Sequence, residues 1–147
     1  MSACTFLGHR DCPDEIKPKL REVLIDLIEN EGVEMFYVGR QGQFDAIVRS
    51  TLRQLTEAYP HIRYAVVLER VPGKQEGADY SDTMLPEGVE KVHPHYVISW
   101  RNKWMIDHAD YAVTYIIHSW GGAVQSLKRA KARERRGEMT IINLGDV

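Results

Sequence analysis

Three glycine-bearing turns directly follow short apolar runs: Leu7-Gly8-His9-Arg10, Val38-Gly39-Arg40-Gln41-Gly42-Gln43-Phe44-Asp45 and His118-Ser119-Trp120-Gly121-Gly122-Ala123. Glycine lets a backbone come close to a bound group and reach positive φ. A helix that opens after such a turn aims its free N–H groups and the positive end of its dipole at the same space. That combination suits phosphate. One such turn serves equally well as a tight connection with no ligand. Three of them, with Arg10 and Arg40 beside two, favour a phosphate-bearing ligand. No G-x-G-x-x-G follows the first run and no GxxxxGK[ST] loop occurs, which speaks against nicotinamide hydride transfer and P-loop hydrolysis. No cofactor is expected.

Other chemistry-bearing residues are weaker signals. His93-Pro94-His95, with His9, His108 and His118, matches no common zinc spacing, so these are expected to be surface or turn histidines and no metal is expected. Cys12 stands near Arg10, but no partner base is evident. The basic residues Lys128, Arg129, Lys131, Arg133, Arg135 and Arg136 fit the C-terminal half of a helix, where cations complement the dipole, better than a nucleic-acid patch.

The elements that must position these turns alternate along the chain. Apolar runs over residues 4–7, 35–38, 63–68, 111–117 and 139–144 predict five strands. Ile16, Leu20, Val23, Leu24, Leu27 and Ile28 recur at helical spacing, with Pro18 tolerated only in the first turn. Phe44, Ile47, Val48, Leu52, Leu55 and Tyr59 give a second helix closed by Pro60, residues 97–108 a third, and Ala123, Leu127 and Ala130 a fourth. On the third, Arg101, Met105 and His108 share one face, and Trp104 and Ile106 are expected in the core. Residues 69–96 hold three prolines and three glycines and are expected to be irregular. Alternating strands and helices predict an α/β fold: a Rossmann-like three-layer sandwich around a mainly parallel five-stranded sheet, with ligands outside the carboxyl ends of the strands.

The 147 residues make one domain over 1–147 by size. With 44% hydrophobic and 27% charged residues, wholesale disorder is not expected. A net charge of −2 argues against a dedicated duplex-DNA or membrane-surface binder. Two cysteines are too few for a disulfide framework, and no run is long enough to span a bilayer, so a cytoplasmic protein is expected.

Taken together, Gly-His-Arg after the first strand, Gly-x-x-Gly-x-Phe-Asp after the second, Arg101-Asn102-x-x-Met105-Ile106-Asp107 and the Gly-Gly turn after the fourth resemble the SLOG superfamily, in particular its YpsA-like branch of small bacterial and phage proteins. That superfamily includes the LOG phosphoribohydrolases and the DNA-processing protein DprA. The resemblance runs from Thr5 to Leu144. It implies a Rossmann-like fold that binds or senses nucleotides or nucleotide-derived ligands. It maps the pocket onto Gly8, His9, Arg10, Gly39, Gly42, Phe44, Asp45, Arg101, Asn102, Ser119, Gly121 and Gly122, and it makes Arg101 a ligand contact. LOG enzymes carry a Pro-Gly-Gly-x-Gly-Thr-x-x-Glu turn whose Glu takes part in N-glycosidic cleavage. Here the stretch is Trp120-Gly121-Gly122-Ala123-Val124-Gln125-Ser126, with no Glu.

Three functions stay open. A binding module would hold phosphate on backbone amides and arginines, stack a base on Phe44 or Trp120, and place Asp45 on a ribose hydroxyl. An enzyme cleaving or transferring an N-glycosidic bond would need a carboxylate, best supplied by Asp45. A protein- or single-strand-binding module would need no small ligand. The first ranks highest. Sheets of this kind often pair through helix faces, so a homo-oligomer is compatible with the sequence.

Overall fold

In a computed structural model, which describes residues 2–70 and 82–145, six strands form one sheet in the order β4-β3-β2-β1-β5-β6. They are β1 (Ser2–Gly8), β2 (Val33–Val38), β3 (Arg63–Val67), β4 (Thr83–Met84), β5 (Tyr111–Tyr115) and β6 (Thr140–Asn143). Every adjacent pair is parallel. The helices are α1 (Lys17–Glu29), α2 (Gly42–Ala58), α3 (Val97–Asp107) and α4 (Gly122–Arg135).

The five predicted strands are all present, but the sheet has six. The additional strand, β4, lies inside the segment expected to be irregular. Two residues cannot form an apolar run. Backbone pairing makes the strand: Val66 N–H donates to Asp82 O at 2.6 Å and Leu68 N–H to Met84 O at 2.9 Å. The same segment also holds 3-10 turns at Val89–Lys91 and Pro94–Tyr96. Residues 71–81 of that expected loop lie outside the described residues.

Local chemistry explains the helix ends. Pro18 falls in the first turn of α1, where its missing N–H costs nothing. Gly32, at φ +70°, turns the chain from α1 toward β2. Asp45 sits in the first turn of α2, and its Oδ2 accepts the Gln41 N–H at 2.9 Å.

The sheet separates two layers of helix. Alternate residues point to opposite faces. Cys4, Phe6 and Val113 pack beneath α1 and α2 with Leu20, Leu24 and Leu52. Leu7 and Ala112 face α3 and α4, where they meet Ile106, Ala130 and Met139. Thr5 and Thr114 point to this second side as well, and both are fully buried.

At the β6 edge, the Ile141 N–H donates to Glu134 Oε2 at 3.2 Å, so a carboxylate from α4 covers that donor. No described helix is long and apolar enough to cross a membrane. The basic side of α4 is partly committed to the fold. Arg129 makes a bidentate pair with Asp107 at 2.7 and 2.8 Å, and Arg133 donates to Ile106 O and Ala109 O.

Candidate functional site

Strand order reverses between β1 and β5, where connections run outward to opposite edges and leave a crevice at the strand ends. A cavity of about 370 Å³ opens there. That volume is within the range of small-molecule sites, roughly 300–1,000 Å³. Its walls come from the end of β1 and its turn, the start of α2, one side of α3 and the β5–α4 turn.

Of the residues expected at the site, Gly8, His9, Arg10, Asp45, Arg101, Asn102, Gly121 and Gly122 line this cavity. Gly42 lines an adjoining, more open depression that shares Arg10 and Asp11 with it. Ser119 is exposed and lines neither. Phe44 is 0% exposed and sits in the core beneath Gly8, out of reach of a ligand base. A Cβ on Gly8 would lie 2.1 Å from the Phe44 ring, so this glycine lets backbone rest on an aromatic side chain. Gly39 is buried below the cavity, against the Asp45 carboxylate and the Arg101 guanidinium.

Arg101 is 1% exposed. Its Nη1 donates to Val67 O at 3.1 Å and lies 3.5 Å from Glu69 Oε2, and its Nε donates to Asn102 Oδ1 at 3.0 Å. Asn102 in turn donates to Ser126 Oγ at 3.3 Å, which ties α3 to α4. Arg40, expected near phosphate, instead grips Glu69 with Nε at 3.0 and 3.1 Å. Burial lowers the proton affinity of Arg101, opposed by Asp45 and Glu69. Burial raises the Glu69 carboxyl, but the Arg40 hydrogen bond and the charges of Arg40 and Arg101 outweigh it and hold it below the usual range. Burial pushes the Asp45 carboxyl up, against the Gln41 N–H and the charges of Arg101 and Arg49. These groups form a charge-paired floor under the cavity.

The opposite side is differently built. Arg10 is exposed at the cavity rim and makes no side-chain hydrogen bond or ion pair among the described residues. The first turn of α4 faces the cavity through Gly121, Gly122 and Ala123 with no side-chain cap. Gly121 has φ +107°, a conformation that favours glycine and brings the helix start around to the cavity. The start of α2 is less available: Gln41 N–H goes to Asp45 and Gln43 N–H to Arg10 O at 2.7 Å.

His9 departs from the expected surface or turn histidines, whereas His118 is half-buried in the β5–α4 turn. His9 is 6% exposed, and its Nε2 accepts the Ile117 N–H at 3.0 Å. Its ring stacks on His118 at 3.6 Å, and His118 stacks on Trp120 at 3.6 Å. Burial, then the neighbouring His118, holds the His9 imidazole below its ordinary value. Among the described residues no group of three His, Cys, Asp or Glu could hold a metal. Burial, then Asp14, pushes the Cys12 thiol up to about 11, which leaves it a poor nucleophile.

Sequence reasoning missed several contributors, Glu69 and Ile98 among them. Asp11 lines the cavity as an exposed acceptor next to Arg10, and its adjacency to Gly-His-Arg was the available signal. His118 lines it too, signalled by its place just before the Gly-Gly turn. Asn143 fastens the β5 end: its Oδ1 accepts from Thr114 Oγ1 and Ile116 N–H, both at 3.0 Å, and its Nδ2 donates to Ile116 O at 3.1 Å. No local pattern announces that role. Comparisons with protein-family models and with characterised proteins give no match to this chain.

Proposed function

We propose that this chain binds a nucleotide or nucleotide-derived phosphate ligand in the cavity at the ends of β1 and β5. The observation that carries this reading is the convergence on one cavity of the uncapped glycine start of α4 and the Arg10 guanidinium, which is unpaired among the described residues. Helix N–H groups and a guanidinium both donate to phosphate oxygens, and the arginine bonds are charge-assisted. Asp11 offers an exposed acceptor to a ribose hydroxyl. Ile98 and Met105 on α3 add apolar wall. The resemblance to SLOG proteins of the YpsA-like branch points the same way.

A thermal-shift and mass-spectrometric screen with AMP, ADP, ADP-ribose, cyclic nucleotides and ribose 5-phosphate tests it. A ligand at a hundred times its Kd adds about 2.7 kcal/mol of stability. Arg10→Ala should abolish most of that shift. An unchanged shift in the variant would remove Arg10 from the site, and no shift with any ligand in the wild type would overturn the reading.

One observation favours a second reading, cleavage or transfer of an N-glycosidic bond. Asp45 is a carboxyl in the cavity wall whose burial favours the protonated form, as a general acid requires. Free base released from a nucleotide, and lost in Asp45→Asn, would establish it. Ligand recovered intact would leave binding alone.

A further inference from the structure

The three-ring stack beside the cavity has one anchored end and one loose end. His9 is held at the β1 end by the Ile117 N–H and by edge-on contact with Tyr115, ring centroids 6.2 Å apart. His118 lies flat on it, with an interplanar angle of 15°. Trp120 covers the other face of His118 at 14°, yet the residue is 68% exposed. Indole is a large apolar surface, and water on most of it is an unfavourable arrangement. Directly after Trp120 comes Gly121 in its positive-φ conformation, where rotation meets little steric resistance. Nδ1 of His118 is buried with no hydrogen-bond partner among the described residues, an unfavourable state for a polar atom.

We propose that the outer face of His118 is a subsite for a planar heteroaromatic ring, a nucleobase, and that Trp120 occupies it in the ligand-free chain. The anchored His9–His118 pair is the shelf. The indole is a displaceable cover on it. A base entering the cavity takes its place on His118, and the indole swings away about Gly121. The phosphate end of the same ligand then lies at the neighbouring turn of α4, so in its nucleotide form this inference rests on the function proposed above. It differs from stacking of a base on the free face of Trp120, because the two arrangements give Trp120 opposite effects on affinity.

Titration of adenosine, AMP and ribose 5-phosphate into the wild type and into Trp120→Ala separates them. The substituted side chain is mostly exposed, so the variant should fold. The cover competes with the base through one aromatic stack, so its removal should tighten adenosine and AMP by about two- to twelve-fold, from the usual 0.5–1.5 kcal/mol worth of such a contact. Ribose 5-phosphate, which has no base, should be unaffected. Adding His118→Ala to Trp120→Ala should reverse the gain. Weaker AMP binding in Trp120→Ala would overturn the proposal in favour of stacking on the indole. Equal affinity, or no adenosine and AMP binding to the variant, would overturn it outright. Ribose 5-phosphate binding that persists in that case would preserve the phosphate site. Adenosine binding without ribose 5-phosphate binding would preserve the shelf and remove the phosphate site.

Discussion

The two faces of the sheet are built on different principles. Toward α1 and α2 the sheet presents Phe6, Phe36 and Val113, packed against leucines with almost no exposed surface. Toward α3 and α4 it presents Thr5, Leu7, Ala112 and Thr114, and the apolar cluster there is small. From α3 on that side the buried guanidinium of Arg101 reaches its charge partners, and the cavity opens at the strand ends between α3, the α4 turn and the start of α2. Apolar packing is insensitive to the exact orientation of polar groups. A floor of paired charges is highly sensitive to it, and it can hold a cavity open that an apolar core would fill. One face therefore carries stability, and the other carries geometry.

Substitutions can break this division, beginning with the largest effect. Phe36→Ala on the thick face should cost about 3–5 kcal/mol in urea unfolding, as large-to-small changes of buried aromatics do. Ligand affinity of the folded fraction should be unchanged. A similar loss of affinity would mean that the faces are not independent. On the thin face, Arg101→Met should cost roughly 1–3 kcal/mol, because it removes a charged hydrogen-bond donor from Val67 O and a charge partner from Asp45 and Glu69. It should also weaken ligand binding. In a double-mutant cycle, Asp45→Asn should recover part of the stability, with a coupling of about 0.5–3 kcal/mol. Strict additivity would show that the two groups do not act together.

The smallest effect is that of pH. His9 binds its proton less readily in the folded chain than at the ordinary value of 6.5. Just below that value the unfolded state holds more protons than the folded one, so stability rises with pH and is lost on acidification. Thermal unfolding between pH 7 and 5 should show this decline. His9→Gln, which offers an amide oxygen to the Ile117 N–H and does not titrate, should flatten it.

The thick face was legible in the sequence because its signal is periodic. Leu20, Leu24, Leu27 and Ile28 on α1, and Ile47, Val48, Leu52 and Leu55 on α2, are buried where their spacing put them. The strand β4 was not, since its two residues carry no pattern and only the pairing with β3 defines them. The glycine turns marked the right places for mixed reasons. Gly8 and Gly39 lack a Cβ because Phe44, Asp45 and Arg101 press on them, whereas Gly121 needs its φ. Both demands look identical in a sequence. The Arg40–Glu69 pair and the His9–His118 stack join segments far apart in the chain, and no local spacing encodes such meetings.

The carboxylate that Glu134 lays over the β6 edge bears on the company this protein keeps. An outer strand with an open N–H is a template on which a neighbouring chain can add its own strand, and unchecked addition leads to aggregates. At Ile141 that donor is already bonded within the molecule. A second copy joining there would have to strip the glutamate away first and leave its charge beside the new strand. At this point of the β6 edge, strand addition therefore costs an existing hydrogen bond and sets a carboxylate against the incoming backbone.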